Sequence, residues 1–228
     1  MNRRKFLKTV PAFTVLATAS TQGVQELQPI ILPKPQKEGG KTVIASLWER
    51  KTIRNISEEK LPPQVLSNLL WAAFGVNREV EQFGGRIGRT AASASNSQEI
   101  DLYVAMPEGV YLYETVPHQL TPVVAGDLRS RSGARGSGSR APVHIFFVVD
   151  ITKYSKAPFQ EPGLRDPEIQ KSYYYVATGL IAENVYLFAA SQGLAAHFHN
   201  CDKENTAKEF KLRSDQRVLF AQTVGYAG

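Results

Sequence analysis

One cysteine, Cys201, stands alone in 228 residues, so no internal disulfide staples this chain. Long hydrophobic runs are missing as well. The apolar stretch over residues 10–19 is too short, and too rich in Thr and Ala, to span a bilayer stably. There is no Walker loop, no GxGxxG after a strand, no HExxH and no nucleophile elbow, which removes the commonest nucleotide-loop, zinc-protease and serine-hydrolase chemistries. Histidine is scarce: His118, His144, His197 and His199 are all there is. His197 and His199 alternate on a predicted strand and share a face, yet nothing nearby completes a metal site, so no metal is expected. Cys201 as a nucleophile with a histidine partner lacks support in the same way.

What is present suits one domain. With 43% apolar and 21% charged residues, a chain of this length buries a proper core without staples. The net charge of +6 is unevenly placed. Residues 1–19 hold Arg3, Arg4, Lys5 and Lys8 and no acid, which leaves only +2 for the rest. Four arginines, Arg129, Arg131, Arg135 and Arg140, fall in one Gly/Ser-rich segment. The remainder is near neutral, so nucleic acid is not an expected partner.

The N-terminus has signal-peptide organisation: a basic start, a short apolar region and small residues at 17–19. Its Arg3-Arg4-Lys5-Phe6-Leu7-Lys8 core resembles a twin-arginine export signal, which implies a periplasmic destination. Residues 20–40, with Pro29, Pro33, Pro35, Gly39 and Gly40 among them, read as an extended linker, and the folded domain is expected over 41–228. Within it, helices are expected over 42–50 and from Pro62 and Pro63 to Gly75, where Val65, Leu66, Leu69, Leu70 and Ala73 keep helical spacing. Residues 77–98 and 128–140 read as loops, the second mobile by composition. Strands at 102–105 and 110–113 flank a hairpin turn, and 117–126 reads as helical. The apolar run 143–149 suits a central strand buried on both faces. Residues 169–192 make the longest helix, rich in small residues (Ala177, Gly179, Ala182, Ala189, Ala190), with Gly193 as its stop. A strand over 196–199, a helix from Lys203 and a strand over 218–224 complete an α+β pattern.

Arg50, Lys51, Thr52 and Arg54 put two guanidiniums, an ammonium and a hydroxyl within five residues, a natural clamp for a phosphate. Residues 50–54 resemble the Arg-Arg-Ser-x-Arg element with which nitroreductases hold the phosphate of FMN. Residues 92–98 resemble that family's Pro-Ser-Ser-x-Asn-Ser-Gln loop, residues 178–187 and Gly193-Leu194 its long dimer helix and following turn, and residues 223–226 its last core strand. The hairpin after the Asn-bearing loop is most similar to the branch containing peptide thiazoline/oxazoline dehydrogenases.

The resemblance implies a nitroreductase-like α+β sandwich, with a mainly antiparallel sheet flanked by helices. It implies an obligate homodimer with two FMN sites at the interface, and hydride or electron transfer through flavin N5 to a small acceptor such as a quinone or nitro compound. By position, Arg50, Lys51, Thr52 and Arg54 would bind the phosphate, and Ser93, Ala94 and Asn96 would contact the ring. Asn200 and Cys201 would present backbone N–H groups near N5 and O4. Ala92 replaces the usual proline, and Asn200-Cys201 a more common Glu-Gly or Gly-Gly pair. The chain ends at Gly228, where many relatives continue into a basic tail; the clamp, or arginines from 128–140, would cover for it. NAD(P)H is not expected outside the cytoplasm, so a membrane or protein electron donor is implied. The alternative is a non-catalytic flavin- or ligand-binding protein that keeps the same fold.

Overall fold

The computed structural model describes residues 26–79 and 85–228; the twin-arginine motif lies outside the described residues. Seven strands form one antiparallel sheet: β1 (Ile30–Ile31), β4 (Ile100–Met106), β5 (Gly109–Glu114), β6 (Gln119–Ala125), β7 (Val143–Asp150), β8 (Leu194–His199) and β9 (Gln216–Tyr226). Their order across the sheet is β1-β6-β5-β4-β7-β9-β8. A separate short pair joins β2 (Val76–Arg78) to β3 (Gly88–Arg89).

β7 is where the sheet is deepest. All eight of its residues are buried, as its unbroken apolar run predicts, because helices or loops cover both faces. On one side α2 (Pro63–Phe74) presents Leu66, Leu69, Leu70, Ala73 and Phe74 to the sheet. The long α3 (Pro167–Gln192) adds Tyr174, Ala177, Ile181, Ala182, Val185 and Ala189 to the same core. Each fully buried Ile or Val there contributes about 1.5–3 kcal/mol of burial. On the other side α4 (Lys203–Glu209) brings Ala207 and the following Phe210 against Phe146, Val148 and Val218.

Local chemistry fixes the helix ends. Thr42 accepts a hydrogen bond from the Ala45 N–H at 3.2 Å and so starts α1 (Val43–Glu49). Asp166 accepts from the N–H groups of Glu168 and Ile169, Pro167 takes the first position of α3, and Gly193, at φ +70°, ends it.

Three expectations are corrected. Residues 117–126, read as helical, form β6. Pro122 is tolerated there because β1 pairs only with Gln119 and Leu120, so the outer edge beyond them needs no N–H. Residues 128–140 are not a loose loop but two 3-10 turns, Arg129–Ser132 and Gly136–Arg140. Arginine side chains tie them down: Arg129 donates to Asp127 and to the carbonyls of Arg140 and Ala141. Within 77–98, read as loop throughout, β2 and β3 pair and Ala94–Asn96 forms a 3-10 turn. Residues 26–40 are extended, as read from their prolines, yet they belong to the folded body. Leu32 is buried, the Ser67 hydroxyl donates to the Pro33 carbonyl at 2.5 Å, and the Gln36 N–H donates to Asn68 at 2.9 Å.

Candidate functional site

α1 ends where Arg50 N–H donates to the Ser46 carbonyl at 2.7 Å, and the chain then runs extended along β8, the edge strand. Ile53 N–H donates to Ala196 O at 3.0 Å, and Ile53 and Ile56 pack against Ala141 and Ala195. Those apolar anchors hold the intervening polar groups outward. Arg50 lies 5.4 Å from the centre of the Tyr186 ring, and Thr52 Oγ1 is 3.1 Å from the Tyr186 hydroxyl. The Tyr186 oxygen already accepts the Phe198 N–H at 2.8 Å, so it can give its own hydrogen to Thr52. Thr52's hydrogen is then free for an anion. The neighbouring acids are occupied elsewhere: Glu49 pairs with Lys41, and Glu58 with Arg140. Among the described residues no carboxylate lies within 4.0 Å of Arg50, Lys51 or Arg54. This corner therefore holds three uncompensated cations on a fixed backbone, which is the electrostatic requirement for a phosphate.

Two further segments meet the same corner. A Cβ built on Gly138 would sit 3.2 Å from Arg54 O, and one on Gly133 would sit 3.4 Å from Asn200 O. The 3-10 turns thus press against both the clamp and the Asn200-Cys201 pair, and Asp202 N–H donates to Arg131 O at 3.1 Å. Arg131 is spent on Glu209 at 2.5 Å, Arg129 on Asp127 and Arg140 on Glu58; Arg135 is exposed with no acid partner among the described residues. Burial pushes the Cys201 thiol up to about 11, so it is not a thiolate nucleophile.

Behind this corner lies a group of histidines of which sequence spacing shows only two. The register aligns both His144 on β7 and His197 on β8 with Thr223 on β9. His199 bonds Thr223 Oγ1 at 2.8 Å through Nε2, and its Nδ1 donates to Asn200 O at 3.0 Å. His144 Nδ1 is 2.7 Å from Ser132 Oγ, while its buried Nε2 has no partner among the described residues. Burial, with Arg129 and His199 adding, holds His144 down to about 3; burial, His199 and Arg54 hold His197 down to about 4. All are neutral near pH 7. His118 stands apart, bonded to Ser67 and Tyr113. Among the described residues no group of three or more His, Cys, Asp or Glu side chains could hold a metal.

The Asn-bearing loop is elsewhere. Ser95, Asn96 and Gln98 all take left-handed φ values, of 49°, 52° and 53°. Such strain in non-glycine residues persists only where surroundings enforce it. Ser93 Oγ accepts the Gln98 N–H at 2.9 Å, the Gln98 amide donates to Asn96 Oδ1 at 2.9 Å, and Arg86 donates to the carbonyls of Asn96 and Ser97. Ala94 packs in the cluster formed by Tyr154, Ala157 and Leu164. This loop leads into Ile100, paired with Val149, whereas the clamp lies beside Ala196, level with Val224 and Val143. At ~3.3 Å per residue and ~4.8 Å per strand, the separation is about 20 Å along the sheet and, over the four spacings from β4 to the clamp segment, about 19 Å across it. One copy brings Arg50, Lys51, Thr52 and Arg54 together with Asn200 and Cys201, but not with Ser93, Ala94 and Asn96. Tyr186 and His197 are site neighbours to which spacing alone assigned no role.

The family model described as the nitroreductase family matches residues 47–226. A protein of Methanocaldococcus jannaschii named as a nitroreductase is 25% identical over 189 residues, covering 78% of this chain and 88% of that one. A Ralstonia eutropha crystal structure, also titled a nitroreductase, is 34% identical with a TM-score of 0.78, covering 97% of this chain and 99% of that one. The Escherichia coli microcin synthetase complex is similar in fold, at 17% identity and a TM-score of 0.59, over 99% of this chain and 85% of that one.

Proposed function

Because this chain belongs to the nitroreductase family of oxidoreductases, we propose that it is an FMN-dependent enzyme that acts outside the cytoplasm on a small acceptor such as a quinone or nitro compound. The observation that carries the reading is the uncompensated cation corner at Arg50, Lys51 and Arg54. Their charge and Thr52's available hydroxyl fit a phosphate ester, and no carboxylate among the described residues competes for them. FMN, when bound, supplies hydride and electron exchange at its N5. The chain's own residues bind and orient. The clamp fixes one end of the ligand, and Asn200-Cys201 offers backbone donors where negative charge develops on the ring. His144 and His199, both held below the ordinary histidine value by burial, stay neutral near pH 7 and add no positive charge to the site.

The site is completed by a second copy. Because the clamp and the Asn-bearing loop occupy opposite ends of the sheet, one flavin reaches both only if the loop comes from a partner. The outward face of α3 fits that arrangement: Val176 is 63% exposed, Leu180 is 45% exposed, and a Cβ on Gly179 would meet nothing within 4 Å. α1 beside it exposes Val43, Ile44, Leu47 and Trp48, the last by 87%. An apolar surface of that kind marks an interface. The thiazoline/oxazoline dehydrogenase-like branch remains part of the proposal, on the β4–β5 hairpin that follows the loop. The Arg3-Arg4 signal supports export of a protein already folded around its cofactor, and a membrane or protein donor then replaces NAD(P)H.

The test is the visible spectrum of the purified full chain, followed by anaerobic photoreduction and admission of oxygen or a quinone. A flavin spectrum that bleaches and then returns within seconds is expected. A colourless protein that takes up no FMN overturns the reading.

A further inference from the structure

Among the three histidines behind the cation corner, only His197 has both ring nitrogens without a hydrogen-bond partner among the described residues. His199 uses one nitrogen on Thr223 and the other on the Asn200 carbonyl. His144 is fully buried, with one nitrogen on Ser132 and the other enclosed. His197 is half-buried, its ring centre 4.5 Å from that of His199, and it stands next to Arg54. The charged or titratable groups that face it are Arg54 from the clamp segment and His199 from its own strand. Beyond His199, on β7, stands His144, which senses the Arg129–Asp127 pair. No carboxylate is among the groups acting on His197.

We propose that His197 is a phosphate ligand, and that it takes up a proton when the phosphate of FMN enters the clamp. This rests on the flavin reading above and adds to it a residue and a pH dependence. Without a ligand, protonating His197 would place another cation beside Arg54 in a partly desolvated corner, and its pKa stays near 4. A phosphate dianion changes this balance: it supplies the missing negative charge and a hydrogen-bond acceptor for the ring N–H. The pKa of His197 is therefore higher in the complex than in the free protein. By linkage, the complex gains affinity as pH falls from the bound-state pKa toward the free-state pKa, by up to about tenfold per pH unit. Above the bound-state value the effect vanishes. The phosphate's own second ionisation, near pH ~6, works the other way, since a clamp of cations favours the dianion and releases a proton. Net uptake is thus a signature of the protein and not of the ligand.

The experiment is calorimetric titration of the flavin-free full chain with FMN and with riboflavin, at pH 7, in two buffers of different ionisation heat. Wild type should take up a fraction of a proton per FMN and none per riboflavin. His197→Gln, checked for folding by its thermal midpoint, should take up none with FMN. The ratio of wild-type to variant FMN affinity should widen between pH 8 and pH 6. Equal proton uptake in both proteins, or affinities that run parallel at every pH, would overturn the assignment while leaving the flavin site standing. Failure of wild type to bind FMN at all would remove the flavin reading and this inference together. The wild-type comparison of FMN with riboflavin stands by itself even if the variant is unstable.

Discussion

The cation corner on the β8 edge and the loop that leads into β4, the middle strand, are built on opposite principles. At the β8 end the backbone is relaxed and the side chains carry unspent charge: Arg50, Lys51 and Arg54 have no acid partner among the described residues. In the loop before β4, Ser93, Asn96 and Gln98 bond to one another and the strain sits in the backbone, with Ser95, Asn96 and Gln98 all left-handed. One end offers charge to a ligand and the other offers shape. The segment 128–140 sharpens the point, because it is as basic as the clamp yet spends Arg129, Arg131 and Arg140 on Asp127, Glu209 and Glu58. A run of arginines marks an anion site only where its charge is left over.

The charged end should give the largest effect. Each charge-assisted hydrogen bond is worth roughly 1.5–3 kcal/mol, and Arg50 can make two. Arg50→Ala should weaken FMN binding by about two to four orders of magnitude, and riboflavin binding far less, in a fluorescence titration. Arg135→Ala is the control on the same titration; a shift as large as that of Arg50→Ala would move the clamp to 128–140.

The junction between copies should respond next. Gly179→Leu adds bulk where a single chain has open space, so the folded protomer should tolerate it. Across two packed helices the same bulk costs about 1–3 kcal/mol, weakening association by roughly 5- to 150-fold. Light scattering should show dimer loss accompanied by loss of bound flavin; a flavin-loaded monomer would break the link between the two ends.

Relieving the backbone strain in the loop should give the smallest change, and in the opposite direction. Ser95 sits at φ 49°, where a Cβ costs about 1 kcal/mol. Ser95→Gly should raise the unfolding free energy by roughly 0.5–1 kcal/mol in denaturant melts while loosening the loop and its hold on flavin. Equal stability with unchanged flavin affinity would mean that the left-handed turn carries no functional constraint.

Much of this was readable from local pattern. The 26-residue α3, the buried run of β7 and the β4–β5 hairpin follow from spacing that needs no tertiary context. The Arg50–Arg54 segment stood out because four polar residues fall within five positions. What stayed hidden depends on contacts between distant segments. β6 reads as helix until β5 and the short β1 fix which edge Pro122 faces. The arginines of 128–140 look mobile until Glu209, nearly eighty residues on, is beside Arg131. His144 joins His197 and His199 only through the register of β7 and β9. Small residues on α3 also divided in a way that spacing does not show: Ala177, Ala182 and Ala189 face the chain's own core, and Gly179 faces out.

The claim that one flavin site draws on opposite ends of two copies is tested most directly by mixing two defective variants. Arg54→Ala removes the charged end and Asn96→Ala the shaped end, so each alone should bind little FMN. After subunit exchange, mixed dimers contain one site with both ends intact, and about a quarter of all sites should bind FMN with wild-type affinity. No recovery on mixing two folded dimeric variants would contradict the account, as would an Asn96→Ala protein that binds FMN like wild type.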